Sequence, residues 1–499
     1  MCAGLGADGL LPKPSGKANP MSQTNAVAPS LVDDDQHLHR ALGNRHIQLI
    51  AIGGAIGTGL FMGSGKTIHT AGPSIMLVYL IIGVMLYFVM RAMGELLLSN
   101  LNYKSFQDFA ADLLGPWAGF FAGWTYWLCW VVTGMADVIA FTSYWDFWLK
   151  NETWSIILSV GTLALLFVLN LLTVRLFGEL EFWFALIKIV AIIGLIVLAA
   201  VLVIIGFTAP DGIKASLGNL WNDGGFFPKG MNGFLAGFQI AVFAYVGIEL
   251  VGTTAAETKN PLKTLPKAIN AVPVRVLMFY VVALAAIMCV TPWSQVNPAV
   301  SPFVNLFGLV GFGAAATVMN FVVLTSAASS ANSGIYSTSR MLYGLSHKGM
   351  APKSFGKLTR HGVPASGLFV TVVLVSASLL LTMSNSVIEA FTLVTTVSSV
   401  LFIFVWGLIL VSYLRYRAIK PELHASTTYA MPGGRIMCWV VLAFFVFLVW
   451  VLTQQPDTLK ALVVTPIWFV ILAVGWFVAR GRAHNDDTIT QELRAEKTR

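Results

Sequence analysis

Apolar runs long enough to cross a lipid bilayer recur along this chain, and no other feature limits its fold as strongly. A transmembrane helix needs about 20 mostly apolar residues. Twelve runs qualify: 47–67, 74–95, 117–146, 155–174, 182–206, 234–254, 273–291, 310–340, 364–382, 388–414, 436–453 and 461–479. Inside lipid every backbone polar group must be satisfied internally, so such runs become helices. The expected class is therefore an all-α polytopic membrane protein with 12 transmembrane helices. Charged residues make up 11% of the 499 residues and hydrophobic types 57%, against about 25% charged in soluble domains. An ordinary soluble enzyme and any disordered or fibrous class are excluded.

The net charge of +8 would suggest nucleic acid in a soluble chain, but here the charges sort by loop. Of the 31 Lys and Arg, 23 fall on one set of alternating loops and 5 on the other, with Lys13 and Lys17 in the N-terminal tail and Lys188 inside a run. That bias places both termini in the cytoplasm and supports an even number of spans. Residues 1–36 are rich in Gly, Pro, Ser, Ala and Asp and hold no apolar run. They read as a disordered cytoplasmic tail, not a signal peptide, with Met21 an alternative start. Residues 37–480 form the membrane domain, and 481–499 form a cytoplasmic C-terminal tail.

Two of the runs should not be continuous helices. The first contains Gly53, Gly54, Gly57 and Gly59 within seven residues, and each glycine costs a helix interior about 1 kcal/mol relative to alanine. Packing motifs place small residues on one face, whereas these surround the axis and predict an unwound segment. The sixth run reads Val246-Gly247-Ile248-Glu249, a glycine and then an acid at similar depth. Unwound backbone is tolerated in a membrane where it lines a cavity or binds a ligand. Interrupted helices in corresponding positions of two halves point to a transport site. A half-helix start suits a carboxylate and a half-helix end offers carbonyls to an ammonium group. A site with both polarities fits a zwitterion, so an α-amino acid is the expected ligand.

Ionisable residues at membrane depth are functional hypotheses by default. Lys188 lies about two turns into the fifth run, where snorkelling to an interface competes with burial as a cation. Glu249 either caps the unwound turn or takes up a proton. Asp137, in the third run, either pairs locally or takes part in coupling. Glu257 precedes Lys259-Asn260-Pro261 and reads as an interfacial hinge or gate. Glu95, four residues after Arg91, suits an i,i+4 pair. Trp124, Trp127 and Trp130 read as a packing stripe, and Ser329, Ser330, Asn332 and Ser333 as helix-packing residues, some of them lining a pocket. All eight histidines fall in tails, loops or run ends. No converging metal ligands are therefore expected, and no disulfide framework can be read from four cysteines.

Several segments together resemble the amino acid transporter family of the amino acid–polyamine–organocation superfamily. They are Gly57-Thr58-Gly59-Leu60-Phe61, Ala71-Gly72-Pro73 running to Gly94-Glu95, Val246-Gly247-Ile248-Glu249 and Ala255-Ala256-Glu257-Thr258-Lys259-Asn260-Pro261. Ser329-Ser330-Ala331-Asn332-Ser333-Gly334 and Ser339-Arg340-Met341-Leu342, with Gly349-Met350-Ala351-Pro352 after it, also match. The resemblance spans residues 38 to 480. It implies two inverted five-helix repeats (helices 1–5 and 6–10) with broken helices 1 and 6, plus two peripheral helices. It implies proton-coupled uptake by alternating access in a bacterial cytoplasmic (inner) membrane, with the proton gradient as energy source and no cofactor. Trp117–Asp137 and Leu220–Thr258 are most similar to the branch that takes up D-serine, D-alanine and glycine, and D-cycloserine with them. By the same resemblance the substrate amine meets the carbonyls of Ala55, Phe243 and Val246. The carboxylate meets the N–H groups of Thr58 and Gly59, assisted by the Thr58 hydroxyl, and Phe243 stands at an aromatic gate. Lys188 occupies the place where sodium-coupled relatives bind an ion, and the resemblance implies Glu249 as its carboxylate partner.

The alternatives are a permease of the same family for aromatic or basic amino acids, proline or γ-aminobutyrate, and an amino-acid sensor that does not transport. A membrane enzyme lacks a ligand cluster, a nucleophile–base motif or a phosphate loop. The expected partners are a small amino acid, protons and lipid, with no nucleic acid and no obligate protein partner.

Overall fold

The structure, a computed structural model, describes residues 56–483 other than 104, 173, 211, 254–259, 312 and 385, and omits the side chains of 174–176, 253, 276, 382–384 and 481–483. Among the described residues the chain is helical, with a single isolated bridge between Thr208 and Lys214 and no strand. The longer helices are α1 (Gly63–Ala71), α2 (Ile75–Ser99), α3 (Phe106–Leu114), α4 (Pro116–Leu149), α5 (Glu152–Leu172), α6 (Val174–Ile204), α7 (Gly230–Ala241), α8 (Pro261–Asn270), α9 (Ala283–Val290), α10 (Pro302–Leu309), α11 (Gly313–His347), α12 (Ala365–Ser376), α13 (Val387–Ile419), α14 (Gly434–Leu452) and α15 (Pro456–Ala483).

Ten helices among the described residues are long and apolar enough to cross a membrane. The difference from the twelve expected runs has two sources. Residues 47–55 of the first run lie outside the described residues, and its remainder, α1, passes through a short turn at Gly72–Ser74 into α2, so the two form one apolar unit. The ninth run forms a shorter apolar helix over Ala365–Leu381.

Local chemistry sets the helix ends. Ser105 and Asp108 form a capping box at the start of α3. Pro116 opens α4 at a position where its missing N–H is not needed, and the Ser386 hydroxyl accepts from the Glu389 amide at the start of α13. With 34 residues, α4 is about 51 Å long at 1.5 Å per residue, more than a bilayer core. It packs most extensively against α11 and α13. The most apolar window of α4 is 89% buried, against 28% in α5 and α6 and 17% in α15. The first is a central helix, and the others turn apolar side chains such as Trp183, Val190 and Val474 outward. Burying apolar stripes of the inner helices against one another leaves the outer faces for lipid.

Candidate functional site

In the first run the described residues begin at Ile56; Gly57 is extended (φ −126°, ψ −160°), and a helical turn starts at Thr58–Phe61, a segment we term the first break. Met62 stays right-handed, so the turn runs on into α1. The amides of Leu60 and Phe61 reach back to the Gly57 carbonyl at 3.2 and 3.3 Å. Those of Thr58 and Gly59 occupy the first turn, where a helix supplies no acceptor. A Cβ built on Gly59 would lie 2.6 Å from Ala244 Cα and 2.8 Å from Ala244 N. Glycine is required there because the backbone of the second broken segment presses directly against it.

The second break follows α7. Phe243–Tyr245 forms a tight 3-10 turn, and Val246 (φ −58°, ψ 136°) takes the next peptide out of the helical path. Gly247 has φ 97°, a left-handed conformation that favours glycine. A further helical turn, Leu250–Thr253, follows. Glu249 is fully buried and closes this break locally: the Gly247 amide donates to Oε2 and the Tyr126 hydroxyl to Oε1, each at 3.2 Å. A tyrosine cluster braces the segment from behind. Tyr280 donates to the Ala244 carbonyl at 2.7 Å, its ring stacks on Tyr245 with centroids 4.9 Å apart, and the Tyr245 hydroxyl donates to the Tyr79 carbonyl.

Between the two segments lies a small cavity of about 10 Å³, room for about one water molecule, lined by Gly57, Thr58, Gly59, Thr133, Phe243, Ala244, Val246 and Ser330. Phe243 meets Phe391 edge-on, with centroids 6.0 Å apart. The Thr58 hydroxyl donates to Asp137 Oδ1 at 2.8 Å, while Oδ2 of this fully buried acid has no hydrogen-bond partner among the described residues. Thr58 was expected to turn its hydroxyl to the ligand; here its proton is directed to α4 instead. Five of the expected residues (Gly57, Thr58, Gly59, Phe243 and Val246) thus meet at one cavity, with Asp137 linked through Thr58. Gly247 and Glu249 shape the second break without lining the cavity. Ala55, Gly53, Gly54 and Glu257 lie outside the described residues.

Lys188 is the fifteenth of the 31 residues of α6 and is fully buried, so it does not snorkel. Its Nζ donates to Ser329 Oγ at 3.0 Å. Ser329 in turn donates to Glu181 Oε2 at 2.7 Å, and Asn332 Nδ2 donates to Glu181 Oε1 at 2.9 Å. The carboxylate joined to Lys188 through hydrogen bonds is therefore Glu181, not Glu249. Sequence reasoning missed Glu181, although its signal was present: it precedes Lys188 by seven residues, two turns on one helix face. Thr133, Tyr79 and Tyr280 were missed as well, each a small or aromatic polar residue in an apolar run, whereas Ser330, named among the polar residues of the eighth run, lines the cavity.

A second correction concerns the loops at the basic end. Arg91 and Glu95 do not pair. Arg91 donates to Asn270 Oδ1 at 2.8 Å and to the Ala430 carbonyl at 2.5 Å, and it lies 3.7 Å from the centre of the Tyr429 ring. Glu95, fully buried, accepts from Tyr413 at 2.8 Å and from the Met431 amide at 2.7 Å, with His424 Nδ1 2.5 Å away. Burial pushes the Tyr429 phenol up to about 12, against the pull of Arg91, so it stays protonated and donates to Asn270 Oδ1 at 3.1 Å. Tertiary partners on α8 and the 427–433 loop outcompete the i,i+4 neighbour. The tryptophan stripe does pack as expected: Trp124 and Trp127 donate to the Met350 carbonyl and to Thr371, and the Trp130 ring covers Gly334.

A profile of the amino acid permease family matches residues 46–487. The chain belongs to the amino acid permease family. It is 63% identical over 466 residues to the D-serine/D-alanine/glycine transporter of Escherichia coli strain K12, covering 93% of this chain and 99% of that one. It is 51% identical to the amino-acid permease AapA of Bacillus subtilis, covering 90% of this chain and 96% of that protein. To the DL-alanine permease SerP2 of Lactococcus lactis the identity is 42%, over 89% of this chain and 96% of that one. The permease is thus a multi-pass membrane protein with an amino acid as substrate, and the helix start at Thr58, the break at Phe243–Gly247 and their shared cavity lie within the matched region.

Proposed function

We propose that this permease takes up small neutral amino acids (D-serine, D-alanine and glycine, with D-cycloserine as an analogue) across the cytoplasmic membrane of a bacterium, driven by protons. The observation that carries the reading is the cavity where one helix begins and another breaks. The first-turn amides of Thr58 and Gly59 border it on one side and the interrupted backbone at Phe243–Val246 on the other. The amides suit the substrate carboxylate, and the amine is proposed to meet the carbonyls of Ala55, Phe243 and Val246, that of Phe243 already accepting from the Val246 amide at 3.1 Å. Lined by three residues of the first break, Thr133, Ser330 and one aromatic ring, the cavity favours a small side chain. The identity to the Escherichia coli transporter supports the same substrates.

The architecture we propose is twelve spans in two inverted repeats plus two peripheral helices, with both termini cytoplasmic. The two breaks rock against α4, α6 and α11 to expose the cavity to either side in turn. Phe243 gates the cavity, Asp137 holds Thr58, Glu249 holds the second break, Glu257 acts as a hinge, and Lys188 serves as the coupling cation. The protein requires no cofactor and no obligate protein partner.

The test is uptake of radiolabelled D-alanine into proteoliposomes under an imposed pH gradient. Accumulation driven by an acidic exterior, competed by glycine and D-serine, is expected. Competition by lysine or tryptophan, with none by glycine or D-serine, would contradict the substrate reading, and indifference to the gradient would contradict proton coupling.

A further inference from the structure

We propose that Glu181, Ser329 and Lys188 form a proton relay, in which Glu181 receives the proton that Lys188 gives up when the permease resets. The inference rests on the proton-coupled reading above and adds to it a residue and a route. Three observations carry it. Glu181 is fully buried in a helix whose outer face is for lipid, and among the described residues it accepts from Ser329 and Asn332, both on α11. Ser329 stands between the two charged residues, accepting from Lys188 Nζ at 3.0 Å and donating to Glu181 Oε2 at 2.7 Å. Asn332, three residues on and on the same face of α11, is held by Asn170 Nδ2 at 2.6 Å, so its own amide stays directed at Glu181 Oε1.

The donors all run one way, from the amine to the carboxylate. A proton can follow them without any atom moving far. The Lys188 Nζ–H bond breaks as the proton passes to Ser329 Oγ, and the original Ser329 O–H bond breaks as its proton passes to Glu181 Oε2. The products are a neutral amine, an intact hydroxyl and a neutral carboxylic acid. Two buried charges become two neutral groups, so the transfer relieves the desolvation of both ions while losing their mutual attraction. Near balance between the two states is what a reversible carrier needs. Asn332 serves either state, because a carboxylic acid keeps an oxygen that accepts. Glu181 lies two helical turns nearer than Lys188 to the Arg175 end of α6, about 10.5 Å along the axis. In the proposed orientation this end is cytoplasmic, so the relay carries the proton inward. Among the described residues Asp137 on α4 is also within electrostatic reach of Lys188; it is bound to Thr58 and so links the amine to the cavity.

The experiment separates carriage from coupling. Purified wild type, Glu181→Gln and Ser329→Ala are reconstituted. Each is assayed for counterflow exchange of labelled D-alanine without a gradient, and for accumulation and internal acidification (by a trapped pH dye) with one. Exchange needs only the loaded carrier to reorient, whereas net accumulation needs the proton to leave. Both variants should keep exchange within about twofold and lose gradient-driven accumulation and acidification at least tenfold. Ser329→Ala keeps both charged residues and removes only the bridge, so its loss of coupling marks the route. A coupled wild type with a coupled Glu181→Gln overturns the relay alone. Parallel loss of exchange and accumulation in both variants also overturns it, since that makes the cluster a packing element. A wild type indifferent to the gradient overturns the coupling reading and the relay together.

Discussion

Alanine in place of Gly59 probes the contact on which the whole site depends. The added methyl carbon would meet Ala244 Cα at 2.6 Å, Ala244 N at 2.8 Å and the Phe243 carbonyl carbon at 3.0 Å. All three are backbone atoms in a turn already fixed by Tyr280 and the tyrosine stack. No flexible side chain can yield, so the two broken segments must part by several tenths of an ångström. Overpacking of this kind costs about 1–3 kcal/mol, and if that strain falls on the closed arrangement its population drops roughly 5- to 150-fold. Gly57→Ala is the matched control: its methyl carbon would meet only Ser330 Oγ at 3.4 Å and Ser330 Cβ at 3.5 Å, an ordinary contact. The prediction is that Gly59→Ala lowers the initial rate of labelled D-alanine uptake by at least fivefold at equal membrane abundance, while Gly57→Ala stays within twofold. Equal uptake by Gly59→Ala and wild type would refute the idea that close approach of the two breaks forms the site. Equal loss in both glycine variants would show that helix propensity, not contact, sets the requirement.

Other perturbations follow from the same geometry. Tyr280→Phe strands the buried Ala244 carbonyl and should cost about 1–3 kcal/mol, read as a lower melting temperature in detergent together with a raised KM for uptake. Glu95→Ala removes the acceptor shared by Tyr413, the Met431 amide and His424. Leaving those buried donors without an acceptor costs about 1–3 kcal/mol. Hydrogen exchange should rise across 421–433 while the cavity residues keep their protection, and unchanged exchange there would remove Glu95 as the anchor of that loop. Thr58→Val deletes the hydrogen bond that Asp137 accepts from the first break among the described residues. Uptake should fall at least tenfold, with Thr58→Ser, which keeps the hydroxyl, recovering most of it.

The helices, their approximate ends and the break in the sixth run were legible in the sequence because each is a local property. Apolar run length fixes a span, and glycine with a carboxyl at depth marks a place where a helix is expensive to continue. What was not legible is which side chains meet. Arg91 and Glu95 stand at i,i+4, yet each finds its partners more than 170 residues away in the chain. No pattern in the 91–95 segment records that. The same limit applied inside the membrane. Family resemblance paired Glu249 with Lys188, whereas the axial rotation of α6 turns Lys188 toward Ser329 and the tyrosine on α4 engages Glu249. Glu181 shows where local reasoning could have gone further. A carboxylate seven residues before a lysine in an otherwise apolar helix occupies the same face, and a face that carries two opposite charges cannot be the one that meets lipid. Taken with the small polar run Ser329–Ser333, which must likewise turn inward, the phase of α6 and its contact with α11 follow from charge and helical period. What remains beyond reach is register along the axis, since a shift of one turn would bring a different serine between the two ions.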